Sequence, residues 1–253
     1  IRRPPRSTPS NSSAASDVYK RQVRNSLDKV FGIEAVEQDI DVFEKLKISD
    51  IGDLEIVPGV IGETSERIKQ TIEHIKSENS KAFLIFVGGE HLITLPIVEQ
   101  LKPKTIIQLD AHADCRKDWA PIQNWAYHAS KLCSIIQTGV TAINKEEIIN
   151  RKQLGIKEFD VDELIKILKT NKLEKPIHLT VDMDVFSPAY VDVSLPQGRK
   201  TPEELIPLFE ALAPNISSMD IIGINDNKLP SKTGFLVAEI IKKILHRRIV
   251  HEK

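Results

Sequence analysis

Short apolar runs alternate with amphipathic segments along most of this chain. The runs are rich in β-branched residues and contain few charges, which is typical of strands buried on both faces of a parallel sheet. The predicted strands are Ala82–Val87, Thr105–Leu109, Ser134–Val140, Ile177–Val181 and Asp220–Ile224, with a further short strand expected at Ile51–Val57.

Apolar residues at helical spacing predict helices between these strands. Ile68, Ile72 and Ile75 repeat at i, i+4 and i+7 in the predicted helix Thr64–Asn79. The other predicted helices are Val23–Phe31, Asp41–Leu46, Leu92–Leu101, Lys145–Gln153, Val161–Leu168, Pro202–Ala213 and Ser231–Leu245. The alternation predicts an α/β fold, a parallel sheet with helices on both faces. Ligand sites in such sheets lie at the carboxyl ends of the strands.

Composition narrows the class of protein. The 253 residues carry a formal net charge of −1, which gives no argument for a nucleic acid or membrane partner. No apolar run approaches the roughly 20 residues of a membrane span. Two cysteines, Cys115 and Cys133, make no disulfide framework, which fits a reducing compartment. We therefore expect a cytoplasmic protein.

Residues 1–22 differ from the rest of the chain. They are rich in Arg, Ser and Pro, nearly free of acid, and begin with Ile. Transit peptides share this composition, but the prolines and the lack of an apolar stripe argue against an amphipathic targeting helix. We prefer a translated cloning or sequencing remnant fused to an incomplete gene. Residues 1–22 are thus expected to be a non-native or disordered leader, and residues 23–253 a single α/β domain.

Three polar clusters follow predicted strands, and they contain the candidate chemistry. The sequences are FVGGEH, QLDAHAD and HLTVDMDVFSP. They supply the candidate metal ligands His91, Asp110, His112, Asp114, Asp182 and Asp184. Each cluster alone is a plausible polar loop, because Asp and His are common in loops. All three at strand ends of one α/β chain favour a shared metal site.

The donor types and their spacing suit divalent ions. Alternate residues of an extended chain share a face, so Asp110, His112 and Asp114 would point the same way, as would Asp182 and Asp184. Carboxylate and imidazole donors suit manganese-type ions better than thiolates do. Four carboxylates would oppose about four positive charges from two divalent ions, which makes so acidic a pocket tolerable.

At these residues the chain resembles the arginase–agmatinase (ureohydrolase) family. That family carries GGDH, DAHxD and SxDxDxxDP segments in this order, and the resemblance spans roughly Val23 to Leu245. It implies a three-layer α/β/α fold around a mostly parallel sheet, with a centre of two Mn²⁺ ions. It also implies that Asp110 and Asp182 bridge the ions, with His91 and Asp114 completing one set of ligands. His112 and Asp184 would complete the other set.

The resemblance implies the reaction as well. A hydroxide bridging the two ions would attack the guanidinium carbon of an agmatine-like substrate and release urea and an amine. The leaving amine needs a proton, and His128 in NWAYHASKL is the candidate general acid, because the family has a His after DAHxD. The alternative for His128 is a surface histidine. His178, inside a predicted strand, carries no such signal. Family members often form trimers or hexamers, so a homo-oligomer is implied.

Departures from the family pattern bear on the substrate. Gly223 stands where the family places a Glu that grips the guanidinium, and Asp226 is three residues further on. Losing one charge-assisted contact costs about 1.5–3 kcal/mol of binding. Arg116 and Lys117, next to Asp114, would favour a substrate with a carboxylate tail, unless they form a solvated basic loop.

These departures leave three interpretations open. The first is a manganese hydrolase acting on a guanidino compound, nearest agmatinase. The second is an amidino hydrolase of the same family that releases formamide from formiminoglutamate. The third is a non-catalytic family member that binds metal. The family's N-terminal strand and GxxxGP segment are also absent here, so we expect an N-terminally incomplete chain with a gap inside its sheet.

Overall fold

The central sheet is built from six parallel strands. The computed structural model describes residues 22–27, 36–37, 40–56, 60–117, 124–170, 172–224 and 231–251. Within these ranges the strand order is β3-β8-β7-β4-β5-β6, and every neighbouring pair is parallel. The strands are β3 (Leu84–Val87), β4 (Thr105–Leu109), β5 (Ser134–Thr138), β6 (Lys157–Glu158), β7 (Ile177–Asp182) and β8 (Ile216–Ile222). A separate antiparallel pair consists of β1 (Val36–Glu37) and β2 (Ile40–Asp41).

Helices fill most of the connections between these strands. The first helical segment, α1, covers residues 22–27. The others are α2 (Val42–Lys45), α3 (Ile61–Glu78), α4 (Thr94–Leu101), α5 (Trp125–Ala129), α6 (Lys145–Gln153), α7 (Val161–Lys169), α8 (Pro202–Leu212) and α9 (Lys232–His251). None of the helices in the described ranges is long and apolar enough to cross a membrane.

The core lies on both faces of the sheet, because successive residues of each strand point to opposite sides. Ile107 of β4 packs in a cluster with residues of α7, α8 and α9, including Leu164. Its neighbour Ile106 packs in a second cluster with residues of α4 and α5, including Trp125. Two helical layers therefore enclose one sheet, and the predicted three-layer α/β/α class is confirmed.

Local boundaries differ from the sequence-based prediction for physical reasons. Residues 51–56 form no strand, and Ile51 is 63% exposed. Strand β8 begins at Ile216, four residues earlier than predicted, because the polar Ser218 and Asp220 are buried against a histidine of β7. The short elements α5 and β6 were missed. The gap expected inside the sheet is absent, since the described strands are contiguous.

Candidate metal centre

The six predicted ligands gather at the carboxyl ends of β3, β4 and β7. His91 opens a short 3-10 helix after β3. Asp110 follows β4 directly, and Asp182 is the last residue of β7. Strands β4 and β7 are neighbours, whereas β3 reaches them across β8. The sheet thus converges side chains that are distant in sequence.

The ligands converge by a different local geometry from the extended one predicted. Strand β4 ends at Leu109, and Asp114 has a φ of 48°, so the chain turns sharply within DAHAD. Residues other than glycine adopt this left-handed conformation uncommonly, although Asp does so more readily than most, and such residues cluster at functional sites. Asp184 lies in a 3-10 helix that begins at Met183, and therefore does not continue β7.

The first group of donors surrounds the ring of His91. Its Nδ1 atom lies 3.0 Å from Asp110 Oδ2, 3.3 Å from Asp114 Oδ2 and 3.5 Å from Asp182 Oδ2. All four side chains are buried. One imidazole nitrogen thus faces three carboxylates from two other strand ends.

The second group of donors surrounds the ring of His112. Its Nδ1 atom lies 2.8 Å from Asp184 Oδ2 and 3.6 Å from Asp110 Oδ1. Asp110 therefore directs one carboxylate oxygen to each histidine. Among the described residues, those capable of holding a metal ion fall into two groups that share Asp110, one with His91 and Asp114 and one with His112 and Asp184.

Hydrogen bonds orient each carboxylate. The amide of His112 donates to Asp110 Oδ1 at 2.7 Å, and the amide of Ala111 donates to Asp184 Oδ1 at 3.1 Å. The amide of Asp184 donates to Asp182 Oδ1 at 2.9 Å. Backbone amides within the same polar segments thus hold one oxygen of Asp110, Asp182 and Asp184, which fixes the orientation of each carboxylate.

The two imidazoles act as the positive charges of this pocket. Burial opposes a charge on the His91 ring, but the three carboxylates that face it outweigh burial and raise the pKa of His91 well above its usual range. Burial likewise opposes charge on His112, yet Asp110 and Asp184 raise its pKa to about 11. In return, the two rings outweigh the burial of Asp110 and lower its pKa.

The other three carboxylates have too little positive charge near them to offset their burial, so their pKa values are raised. Burial, with the charge of Asp110, raises the pKa of Asp114 to about 6. Burial, followed by the charges of Asp110 and Asp182, raises the pKa of Asp184 to about 8. Burial also raises the pKa of Asp182. Four acids beside two imidazoles therefore form a pocket that further cations would stabilise.

The donor set fits divalent metal ions. Carboxylate oxygens and imidazole nitrogens are the ligands that manganese and related ions accept. His91 Nδ1 is buried without a hydrogen-bond partner, although it faces three carboxylates. A buried polar atom in that state calls for an explanation, and a bound ion supplies one.

Contacts around the site include residues that the sequence patterns did not indicate. The indole Nε1 of Trp125 donates to Asp114 Oδ2 at 2.8 Å, and its ring lies 4.5 Å from the His91 ring. His112 Nε2 lies 2.7 Å from Gln197 Oε1. Only Trp125 had a signal, since it belongs to NWAYHASKL; Gln197 is 85 residues from His112.

The remaining predicted residues take varied positions. His128 is exposed on α5, with its ring edge against Tyr127 at 5.5 Å. Arg116 Nε lies 3.9 Å from Glu147 Oε2, and the amide of Lys117 donates to Glu146 Oε1 at 3.1 Å. Asp226 lies outside the described residues.

Gly223 lies beside the site, next to Asp182. It follows β8, has a φ of 77°, and donates its amide to Gly89 O at 3.0 Å. A β-carbon at this position would overlap the carboxylate of Asp182. At the position expected to grip a guanidinium, a side chain would therefore have to displace the carboxylate of Asp182.

Known proteins resemble this chain over most of its length. A family model described as the Arginase family matches residues 16–246. The N(1)-aminopropylagmatine ureohydrolase of Thermococcus kodakarensis is 30% identical over 227 residues, which cover 81% of this chain and 75% of that protein. The agmatinase of Pyrococcus horikoshii is 29% identical, covering 81% of this chain and 76% of that protein.

Solved structures share the fold. The agmatine ureohydrolase of Thermoplasma volcanium superposes with a TM-score of 0.80 at 20% identity, covering 94% of this chain and 85% of that one. The formimidoylglutamase of Bacillus subtilis superposes with a TM-score of 0.79 at 20% identity, covering 92% of this chain and 81% of that one.

Proposed function

Because this chain belongs to the arginase family, we propose that it is a hydrolase that cleaves an agmatine-like guanidino compound into urea and an amine. In this proposal two Mn²⁺ ions occupy the site. His91, Asp110, Asp114 and Asp182 would hold one ion, and Asp110, His112, Asp182 and Asp184 the other. Residues 23–253 would act as one domain, and the protein would assemble as a homo-oligomer, a trimer or a hexamer.

The arrangement of Asp110 is the observation that carries this proposal. Its two oxygens face two separate histidines, 3.0 and 3.6 Å away, and each histidine has a further carboxylate of its own. A single-ion site needs only one such group. Two groups that share a carboxylate support a centre with two ions.

The chain's own residues account for the remaining parts of the reaction. Bound divalent ions would supply Lewis acidity and an activated water near neutral pH. When the new C–O bond forms and the C–N bond breaks, His128 would give its proton to the leaving amine.

The lack of a side chain at Gly223 favours a second candidate function within the same family. Gly223 offers no anionic side chain to pair with a guanidinium, and a β-carbon there would overlap the carboxylate of Asp182. The basic residues Arg116 and Lys117 stand two and three residues after Asp114. A substrate with a carboxylate tail, such as formiminoglutamate, would suit this rim. Hydrolysis would then release formamide in place of urea.

Product analysis tests the proposal and separates the candidates. The protein is loaded with Mn²⁺ and incubated with agmatine, arginine, guanidinobutyrate, guanidinopropionate and formiminoglutamate. Urea from any guanidino compound supports the first candidate, and formamide from the last supports the second. Two tightly bound ions without any product would support a non-catalytic, metal-binding role.

A matched pair of variants ties activity to the site. Asp184→Asn removes one charge from the second group of ligands and is expected to abolish turnover and reduce the bound metal. Asp162→Asn makes the same change at an exposed position of α7 and is expected to alter neither. Equal activity of both variants would contradict the assignment of the site.

A further inference from the structure

A buried hydrogen-bond chain connects β8 with the ring of His91. His91 Nε2 lies 2.9 Å from Thr180 Oγ1, and this hydroxyl donates to Asp220 Oδ1 at 2.5 Å. Thr94 Oγ1 donates to Asp220 Oδ2 at 3.0 Å, and His178 Nε2 lies 2.9 Å from the same oxygen. Thr94, Thr180, His178 and Asp220 are each 0% exposed. None of these four residues faces the carboxylates around His91 Nδ1.

Asp220 determines which atom donates in each hydrogen bond between β8 and His91. A carboxylate has only acceptor sites, so Thr180 donates its one hydroxyl proton to Asp220. The oxygen of Thr180 can then only accept from His91. His91 must therefore carry a proton on Nε2, which leaves the lone pair of a neutral ring on Nδ1, the atom that faces the metal ligands.

On the side of Asp220 away from His91, the side chain of His178 also donates a hydrogen bond to this carboxylate. His178 Nδ1 lies 2.8 Å from Ser218 Oγ, and its Nε2 lies beside Asp220. A proton on His178 Nε2 donates to Asp220, and the Ser218 hydroxyl donates to His178 Nδ1. Both Asp220 oxygens then accept hydrogen bonds, one from Thr180 and the other from Thr94 and His178, so water is not needed to satisfy the buried acid.

We propose that Asp220 and Thr180 are positioning residues that fix the proton of His91 on Nε2 and thereby present Nδ1 to a bound metal ion. The inference rests on the proposed function, because it assigns a role in holding the ion. Neither residue contacts the ion or the substrate. Partners of this kind typically change metal affinity about 10–100-fold when they are replaced.

Two threonines provide a matched comparison. Thr180→Val and Thr94→Val each remove one buried hydroxyl that donates to Asp220, and the shape of the side chain is preserved. Only Thr180 lies between Asp220 and His91. Thr94 approaches Thr180 at 3.4 Å, but its proton is directed to Asp220. Thr180→Ser keeps the hydroxyl and serves as the conservative variant.

The experiment measures Mn²⁺ affinity by competition with a chelator, together with thermal unfolding in excess EDTA. We expect both valine variants to lose stability in EDTA, and Thr180→Val to lose more, because its hydroxyl also meets His91. Thr180→Val alone should lose affinity for one ion, about 10–100-fold. Thr94→Val and Thr180→Ser should bind like the wild type. Equal affinities of the two valine variants would overturn the inference.

A second readout examines the ring directly. Protein with ¹⁵N-labelled histidine is loaded with Zn²⁺ as a diamagnetic probe, and long-range ¹H–¹⁵N spectra assign the proton of His91. A proton on Nε2 in the wild type agrees with the inference, and a proton on Nδ1 overturns it. Failure of the wild type to bind any ion would instead reject the proposed function, and with it this role.

Discussion

Gly223 and Asp182 lie so close together that a β-carbon on the glycine would overlap the Oδ1 atom of the carboxylate. Gly223 also has a φ of 77° and donates its amide to Gly89, so its backbone joins the ends of β8 and β3. The residue is therefore a structural requirement of the site in this chain, and a side chain there would displace a candidate metal ligand.

Gly223→Ala is expected to destabilise the protein and to lower its metal content, because the new methyl group pushes Asp182 away. Gly155→Ala is the matched control, since Gly155 has a φ of 68° but nothing within 4 Å of the added carbon. The control should lose only the cost of the left-handed backbone, about 1–2 kcal/mol of unfolding free energy. Chemical denaturation and metal analysis of both variants test this. Identical metal content would contradict it.

Gly223→Glu, which introduces the residue of the family pattern, should not create a grip for a guanidinium here. The longer side chain has to pass the same carboxylate, so we expect lost metal and no gain in agmatine turnover. The measurement is urea release by the Mn²⁺-loaded variant beside the wild type. Improved turnover would show that β8 relaxes to admit a side chain.

Trp125→Phe should weaken metal binding about tenfold or more, because it removes the only indole donor on Asp114 Oδ2 that the described residues provide. The smaller ring also leaves a cavity, which lowers stability independently of metal. The two effects separate when thermal unfolding is compared with and without Mn²⁺. A smaller metal-induced rise in Tm is the expected result, and an unchanged rise would argue against a role for the hydrogen bond.

His128→Asn should lower kcat about 100-fold or more if His128 protonates the leaving amine. The metal content should stay the same, because the exposed ring is on α5 and outside both groups of donors. His74→Asn, at an exposed position of α3, is the matched control and should leave kcat unchanged. Equal kcat values for the two variants would assign the proton to another donor.

The metal-free protein should lose stability as pH rises from about 6.5 to 8. Asp110 and Asp184 raise the pKa of His112 from 6.5 to about 11, and burial and neighbouring acids raise that of Asp184 from 3.8 to about 8. Over this interval the folded state binds more protons than the unfolded state, so rising pH favours unfolding.

Thermal unfolding at several pH values, in EDTA and in Mn²⁺, tests this expectation. Ions replace the protons as the positive charges of the pocket, so the Mn²⁺-loaded protein should show a weaker decline or none. A Tm in EDTA that rises between pH 6.5 and 8 would contradict the argument.

Strong local patterns made the fold and the clustering of ligands predictable. The buried strands around Ile107 and Leu179 stand out as apolar runs, and each is followed by a polar cluster. Parallel strands bring such clusters to one edge of the sheet without any further information. The three-layer class and the convergence of the six candidate ligands could therefore be anticipated.

The orienting contacts could not be anticipated, because they depend on tertiary structure. Thr180 meets His91 across 89 residues of sequence, and Asp220 meets Thr180 across 40. The start of β8 was also hard to predict, because Ser218 is polar. Its buried hydroxyl has a partner in His178, which lies 40 residues away in sequence. The left-handed turn at Asp114 has no sequence signal either, and it replaced the extended geometry that we expected.

The position of β8 has a consequence for the order of folding. It is the last strand of the described chain, yet it lies between β3 and β7 and gives β3 its only described pairing partner in the sheet. His91 therefore cannot meet Asp182 in its final place until residues 216–222 have left the ribosome and inserted between the two strands. Every candidate ligand is synthesised before that point. The candidate metal centre is thus completed late, by a strand that supplies none of its candidate ligands.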